Sequence, residues 1–205
     1  YPHNLDSFSQ GTNFLFKESG AKDTDYILLL NNDIVINDNA SVKKMMFLLD
    51  NPEVGVVGAK LKYNDTKTIQ HAGVIFNHRK LPGHFGAGQT DNFNLSKDRE
   101  FQAVTGAVKM MRAQDFQTIG MLNEKLVWSF EDIYCSLQIK YELKKKIVCC
   151  GSTNIFHEES ASLKKNPVNK LFLTQNARIL LQRWQKEIVT DIEDYKNLNH
   201  NIFNA

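Results

Sequence analysis

The sharpest change in the hydrophobic pattern of this chain falls at residue 31. Tyr26 to Leu30 are five apolar or aromatic residues in a row, Asn31, Asn32 and Asp33 follow without a spacer, and apolar residues resume at Ile34. So short a run predicts a strand buried on both faces, as in a parallel sheet covered by helices. Asn37-Asp38-Asn39 then offers an N-cap, and Val42, Met45, Met46 and Leu49 recur at helical spacing until Pro52. Val54 to Ala59 reads as another buried strand, so this alternation predicts an α/β fold with a mostly parallel sheet. Upstream, Gly11 to Ser19 fits one or two helical turns with Phe14 and Leu15 inward.

The pattern loosens from Lys60 to Glu100. Thr68 to Phe76 predicts an extended segment, and Pro82, Gly83, Gly86 and Gly88 mark a long glycine-rich loop, read either as a cover over a site or as a surface excursion. His71, His78 and His84 lack ligand spacing, and no metal role is expected of them. Phe101 to Arg112 predicts a strand that meets a ligand at Thr105-Gly106-Ala107, where Gly106 leaves clearance. A short helix from Ala113 to Ile119 closes at Gly120. Another runs from about Asp132 to Leu143 with Ile133, Leu137 and Tyr141 on one face, and Lys144 to Lys146 form a solvated end suited to its dipole. Ile147 to Cys150 is a short buried strand, and Asn166-Pro167 opens a long closing helix.

Composition narrows the classes. The length of 205 residues predicts one domain, or one domain and an appendage; 42% of the residues are hydrophobic, and Lys+Arg 25 against Asp+Glu 23 leaves a net charge of +2, so no nucleic-acid partner is expected. No apolar run is long enough to span a bilayer, and no signal peptide is expected from these residues. Cys135, Cys149 and Cys150 do not make a disulfide framework, and the adjacent pair points to opposite faces, which is poor zinc geometry. They read as small core fillers in a reducing, cytoplasmic setting.

The candidate chemistry lies in separated places: Asp33 after a strand, Glu131-Asp132 at a helix start, and His157 after Asn154-Ile155-Phe156. A carboxylate at the carboxyl end of a buried strand sits where open α/β sheets bind ligands, and its oxygen suits a divalent cation that bridges phosphates. Asn-Asn-Asp is equally good turn chemistry, Asp132 fits a helix cap, and His157 and Trp128 fit a core. In order and identity the elements resemble family 2 nucleotide-sugar glycosyltransferases, which have the GT-A fold. Tyr26 to Asp33 is similar to the strand that ends in that family's variant of the DxD metal motif, and Val54 to Leu61 to the strand after the next helix. Ile69-Gln70-His71-Ala72-Gly73-Val74 resembles a segment of the rhamnosyltransferase-like branch. Val104 to Ala107 and Phe130-Glu131-Asp132 are similar to the acceptor-side strand and the catalytic acidic motif, and Asn176 to Trp184 to the closing helix.

The resemblance covers about residues 1 to 185 and implies an α/β GT-A mixed sheet flanked by helices. It implies an inverting transferase that moves a sugar from a nucleoside diphosphate to a glycan or lipid-linked acceptor in cell-surface polysaccharide synthesis. Asp33 and His157 would hold Mn²⁺ or Mg²⁺, the histidine favouring Mn²⁺. Asp132 would be the base, with Glu131 beside it, and a buried pair there should raise one pKa by mutual repulsion. Asn31, Asn32, Gly106, Ala107 and Trp128 fall at the donor and acceptor positions. Two departures are Tyr134 and Gln138, which stand where the family has Asp and Arg. The family's first strands should precede Tyr1, so residues 1–188, with closing helix 166–188, are expected to be a domain truncated at its amino terminus, followed by a polar tail 189–205. Alone, such a chain should have little activity and self-associate through open strand edges, and peripheral attachment at the inner membrane face is a further expectation. A non-catalytic sugar- or partner-binding remnant of the fold is the second reading, and a metal-dependent phosphohydrolase, opposed by the Glu131-Asp132 context, the third.

Overall fold

The computed structural model describes residues 7–158 and 167–196. The expected cap at Asn166 and the end of the chain beyond residue 196 lie outside them. A seven-stranded mixed sheet runs in the order β1 (Tyr26–Leu30), β8 (Val108–Arg112), β3 (Val54–Tyr63), β9 (Lys146–His157), β2 (Ile34–Ile36), with β4 (Ile69–His71) on β3 and β7 (Arg99–Phe101) on β9. β5 (Val74–Phe76) and β6 (Pro82–His84) form a separate hairpin. The fold is α/β with helices flanking a mixed sheet, but the mostly parallel sheet expected from the alternation is not what forms. Only β3 and β9 pair in parallel; β8 inserts between β1 and β3 antiparallel to both. The reason is the long excursion 64–107, which returns the chain to the sheet from the opposite direction. β1 is correspondingly half-buried, with an antiparallel partner on one side, rather than covered on both faces.

The helices follow local rules. α1 (Phe8–Glu18) and α2 (Asn39–Leu49) are capped by Ser7 and Asp38, whose side chains accept from Gln10 N at 3.2 Å and Ser41 N at 2.8 Å. α2 buries Met45 and Leu49 completely and leaves Phe47 outside. α1 differs from expectation: Leu15 is 59% exposed and the buried side carries Ser9 and Asn13. That helix covers irregular backbone, and Asn13 exchanges hydrogen bonds with Leu122 N and O at 3.0 and 2.9 Å, satisfying groups that a sheet or helix would otherwise pair. α3 (Ala113–Thr118) closes at Gly120, φ +78°, and α4 (Glu131–Tyr141) starts one residue earlier than predicted.

Period-two alternation sorts the core. On β8, Val108 and Met110 face α2 with Met45, Leu49, Val57 and Leu61, whereas Met111 faces Val56, Phe116 and Ile139. Ile133 and Leu137 of α4 pack with Phe76 and with Leu180 and Trp184 of α5 (Pro167–Trp184). The stretch expected as a polar tail folds back as far as Lys196: α6 (Ile192–Lys196) stacks Tyr195 on Phe101 at 5.3 Å. Lys144 and Lys146 of the lysine cluster are exposed, as expected of a solvated end, with Lys146 in a surface pair to Glu53 at 2.7 Å, whereas Lys145 is partly covered and pairs with Asp115 at 2.6 Å. All three cysteines are buried and free, as core fillers. The glycine-rich excursion is anchored by buried Phe85 and Leu95 and by Lys60 bonded to Asp91 at 2.8 Å. Among the described residues no helix is long and apolar enough to cross a membrane.

Candidate active site

The carboxyl end of β1, the amino end of β8 and the carboxyl ends of β3 and β9 meet at one edge of the sheet. Asn31 N donates to Ala107 O at 3.0 Å, continuing the β1–β8 ladder by one step. Asp33, two residues on and so at most about 7 Å from Asn31 along the chain, turns into β2, whose Ile34 pairs with His157. This pairing brings together residues 124 positions apart: Asp33 Oδ1 lies 3.0 Å from His157 Nε2. The other ring nitrogen, Nδ1, lies 2.7 Å from Gln70 Oε1 on β4. Gln70 thus holds the ring with Nε2 turned toward the Asp33 carboxylate. Adjacent corners of an octahedron with bonds of about 2.1 Å are about 3.0 Å apart, so the pair fits two neighbouring ligand positions of Mg²⁺ or Mn²⁺. No group of three or more His, Cys, Asp or Glu that could hold a metal occurs among the described residues.

Glu131 and Asp132 open α4, where a helix dipole favours negative charge. Asp132 Oδ2 accepts from Gly106 N at 2.7 Å and Oδ1 from Ile133 N at 2.7 Å. The clearance expected at Gly106 exists, but it serves this carboxylate: a Cβ there would stand 2.9 Å from Asp132 Cβ. Gly106 and Ala107 are buried, and they connect the two halves of the site by backbone, Gly106 to Asp132 and Ala107 to Asn31. Glu131 has one oxygen, Oε2, buried without a hydrogen-bond partner among the described residues. Burial pushes its carboxyl up to about 7, and the charge of Asp132 adds to the shift while Lys109 opposes it. The expected repulsion within the pair is thus the smaller cause, behind desolvation.

Lys109, which the sequence reading passed over, is fully buried on β8 facing α4. Its ammonium donates to Asp132 O at 2.5 Å and Ser136 Oγ at 2.8 Å, which places a positive charge under the acidic turn. His71 is buried nearby, with Nδ1 2.8 Å from His84 Nδ1, and desolvation holds its pKa well below the usual histidine value, helped by His84 and Lys109. Trp128 is 56% exposed three residues before Glu131. Tyr134 packs edge-on against Trp184 and Gln138 donates to Ile119 O at 3.0 Å, so both departures from the resembled pattern have structural contacts. They also line a cavity of about 580 Å³ beside α1, apart from the acidic pair.

Known proteins resemble this chain at a distance. The O-antigen biosynthesis protein RfbC of Myxococcus xanthus is 28% identical over 148 residues, which cover 69% of this chain and 12% of that protein. The uncharacterized protein y4gI of Sinorhizobium fredii is 28% identical over 180 residues, 80% of this chain and 19% of that one. The chain therefore spans less than a fifth of either relative's length. No protein-family model matches the chain. A crystal structure of GalNAc-T7 with UDP, GalNAc and Mn²⁺ superposes with a TM-score of 0.57 at 9% identity, covering 76% of this chain and 31% of that one. The fold is that of GT-A-like nucleotide-sugar transferases.

Gln70 and Asn176 fall inside resembled segments, but their roles, like that of Lys109, are not visible locally, since each acts through a backbone or ring contact made far along the chain. An amide, a lysine interrupting an apolar strand and an asparagine inside a helix all read locally as solvent-facing.

Proposed function

We propose that the chain forms the catalytic part of an inverting family 2 glycosyltransferase of the rhamnosyltransferase-like branch, moving a sugar from a nucleoside diphosphate to a glycan or lipid-linked acceptor of a cell-surface polysaccharide. The supporting observation is the Asp33–His157 contact, oriented by Gln70, at the same sheet edge as Asp132. The similarity to an O-antigen biosynthesis protein and the fold shared with a UDP- and Mn²⁺-bound transferase agree with it.

Sugar transfer asks the protein to hold a departing diphosphate and to take a proton from the attacking hydroxyl. Asp33 and His157 would hold Mn²⁺ or Mg²⁺, which when bound supplies Lewis-acid stabilisation to the diphosphate oxygens. Gln70 keeps Nε2 of His157 turned toward Asp33. Asn31 and Asn32 line the approach of the donor, and Trp128 that of the acceptor. Asp132 is held in one orientation by the Gly106 and Ile133 N–H groups and accepts the acceptor's proton. Glu131 keeps its own proton up to about pH 7, which limits the repulsion an ionised neighbour would exert on Asp132. Attack from the face opposite the diphosphate inverts the anomeric carbon.

Calorimetry with Mn²⁺ tests this reading. The metal should bind more tightly when UDP is present, and Asp33→Asn or His157→Ala should remove that gain. Equal Mn²⁺ affinity in wild type and both variants would refute it.

A further inference from the structure

The loop before α4 is held in an unusual shape. Trp128 and Phe130 both have positive φ, 76° and 67°, a region that bulky side chains rarely adopt. Such a conformation persists only where its surroundings over-determine it, and it tends to mark working sites. The restraint comes from α5. Asn176 is 1% exposed, and its amide nitrogen lies within donating distance of Val127 O at 2.6 Å, Ser129 O at 3.0 Å and Ser129 Oγ at 3.2 Å. On either side the loop is anchored by apolar contacts: Leu126 is fully buried and Phe130 packs into the Trp184 cluster. Between these fixed points one large side chain, Trp128, is turned outward, 56% exposed. Folding gains little from a strained residue whose indole stays in water, so the arrangement is explained by what the indole meets from solution.

We propose that Asn176 is a positioning residue that pins residues 127–130, so that Trp128 presents its face as a stacking platform for a pyranose of the acceptor. The flat indole suits the C–H face of a sugar ring, and its place just before Glu131-Asp132 sets that ring beside the base. This rests on the glycosyltransferase reading and adds an acceptor subsite to it.

The chain has two tryptophans, Trp128 exposed and Trp184 buried, so acrylamide quenching reports on Trp128. Methyl glycosides of glucose, N-acetylglucosamine and rhamnose are titrated as probes. In wild type at least one should protect Trp128 from acrylamide. In Asn176→Ala its affinity should fall by about tenfold, the size expected for losing an ordered aromatic contact, and amides 127–130 should exchange faster with deuterium while those of 135–139 do not. Trp128→Gly covers the case in which Asn176→Ala fails to fold: glycine accepts φ 76° freely, so its unfolding midpoint should match or exceed wild type while the affinity for the protecting sugar, read by calorimetry because the reporting indole is gone, falls by about tenfold. Equal sugar protection in wild type and Asn176→Ala overturns the proposal, as does a lowered midpoint in Trp128→Gly. A wild type that binds Mn²⁺ and UDP but shows no sugar protection overturns this inference and leaves the transferase reading standing.

Discussion

Glu131→Gln isolates the most perturbed group of the acidic turn. The side chain keeps its shape, and the substitution removes a carboxyl whose pKa burial has raised from 4.5 to about 7. The folded protein therefore holds this proton more tightly than the unfolded chain, and ionising Glu131 costs the fold about 3 kcal/mol by the linkage relation. No cost is present below about pH 4.5; it accumulates as pH rises and levels off above about pH 7. Between about pH 5 and pH 8 the wild type should lose roughly 2–3 kcal/mol of stability relative to Glu131→Gln, an upper bound because partial solvation relaxes buried charges. Urea unfolding at half-unit steps of pH measures this as the difference between the two curves. Parallel curves across the range would show that Glu131 titrates normally, and Asp132 would then have a charged neighbour at neutral pH.

Two further substitutions test the same turn. Gly106→Ala places a methyl 2.9 Å from Asp132 Cβ, so it should destabilise by about 1–3 kcal/mol, the usual cost of overpacking, as read by urea unfolding. A neutral result would mean that α4 yields there without strain. Lys109→Met removes the buried cation with little change in volume; the loss of stability should still begin near pH 4.5 but run on to a higher pH and reach a larger total, because Glu131 loses an opposing charge. An unchanged pH curve would remove Lys109 from the electrostatics of the site.

What could be read from sequence was what is local. The Tyr26–Leu30 strand, the Asp38-capped helix and the Gly120 stop each rest on a few contiguous residues, and each forms where the pattern places it. Strand order is a different kind of property. Nothing in Val108–Arg112 announces that it will lie between β1 and β3, and the polar Ser152 to Asn154 concealed that β9 runs unbroken from Lys146 to His157. The same limit applies to the site. Asp33 and His157 were paired through a resemblance of ordered motifs, since 124 residues separate them and no spacing rule applies. The clearance at Gly106 was visible, but not its cause, because the crowding atom belongs to a helix 26 residues later.

The register of β1 on β8 then becomes a functional quantity. Leu30 opposite Val108 places Asn31 N on Ala107 O, and the next residue back, Gly106, holds Asp132. The span from Asp33 to Asp132 is therefore set by adjoining backbone contacts and not by flexible side chains alone. The same register sends Lys109 toward α4 and Met110 toward α2. Because side chains alternate with a period of two, a slip of one residue would exchange them. It would put an ammonium into the apolar cluster of Met45, Leu49 and Val57 and a thioether under Asp132. Burying an unpaired charge costs several kcal/mol, more than a local shift in pairing recovers. Lys109 thus specifies the register that sets the distance from Asp33 to Asp132, in addition to the charge it brings to the acidic turn.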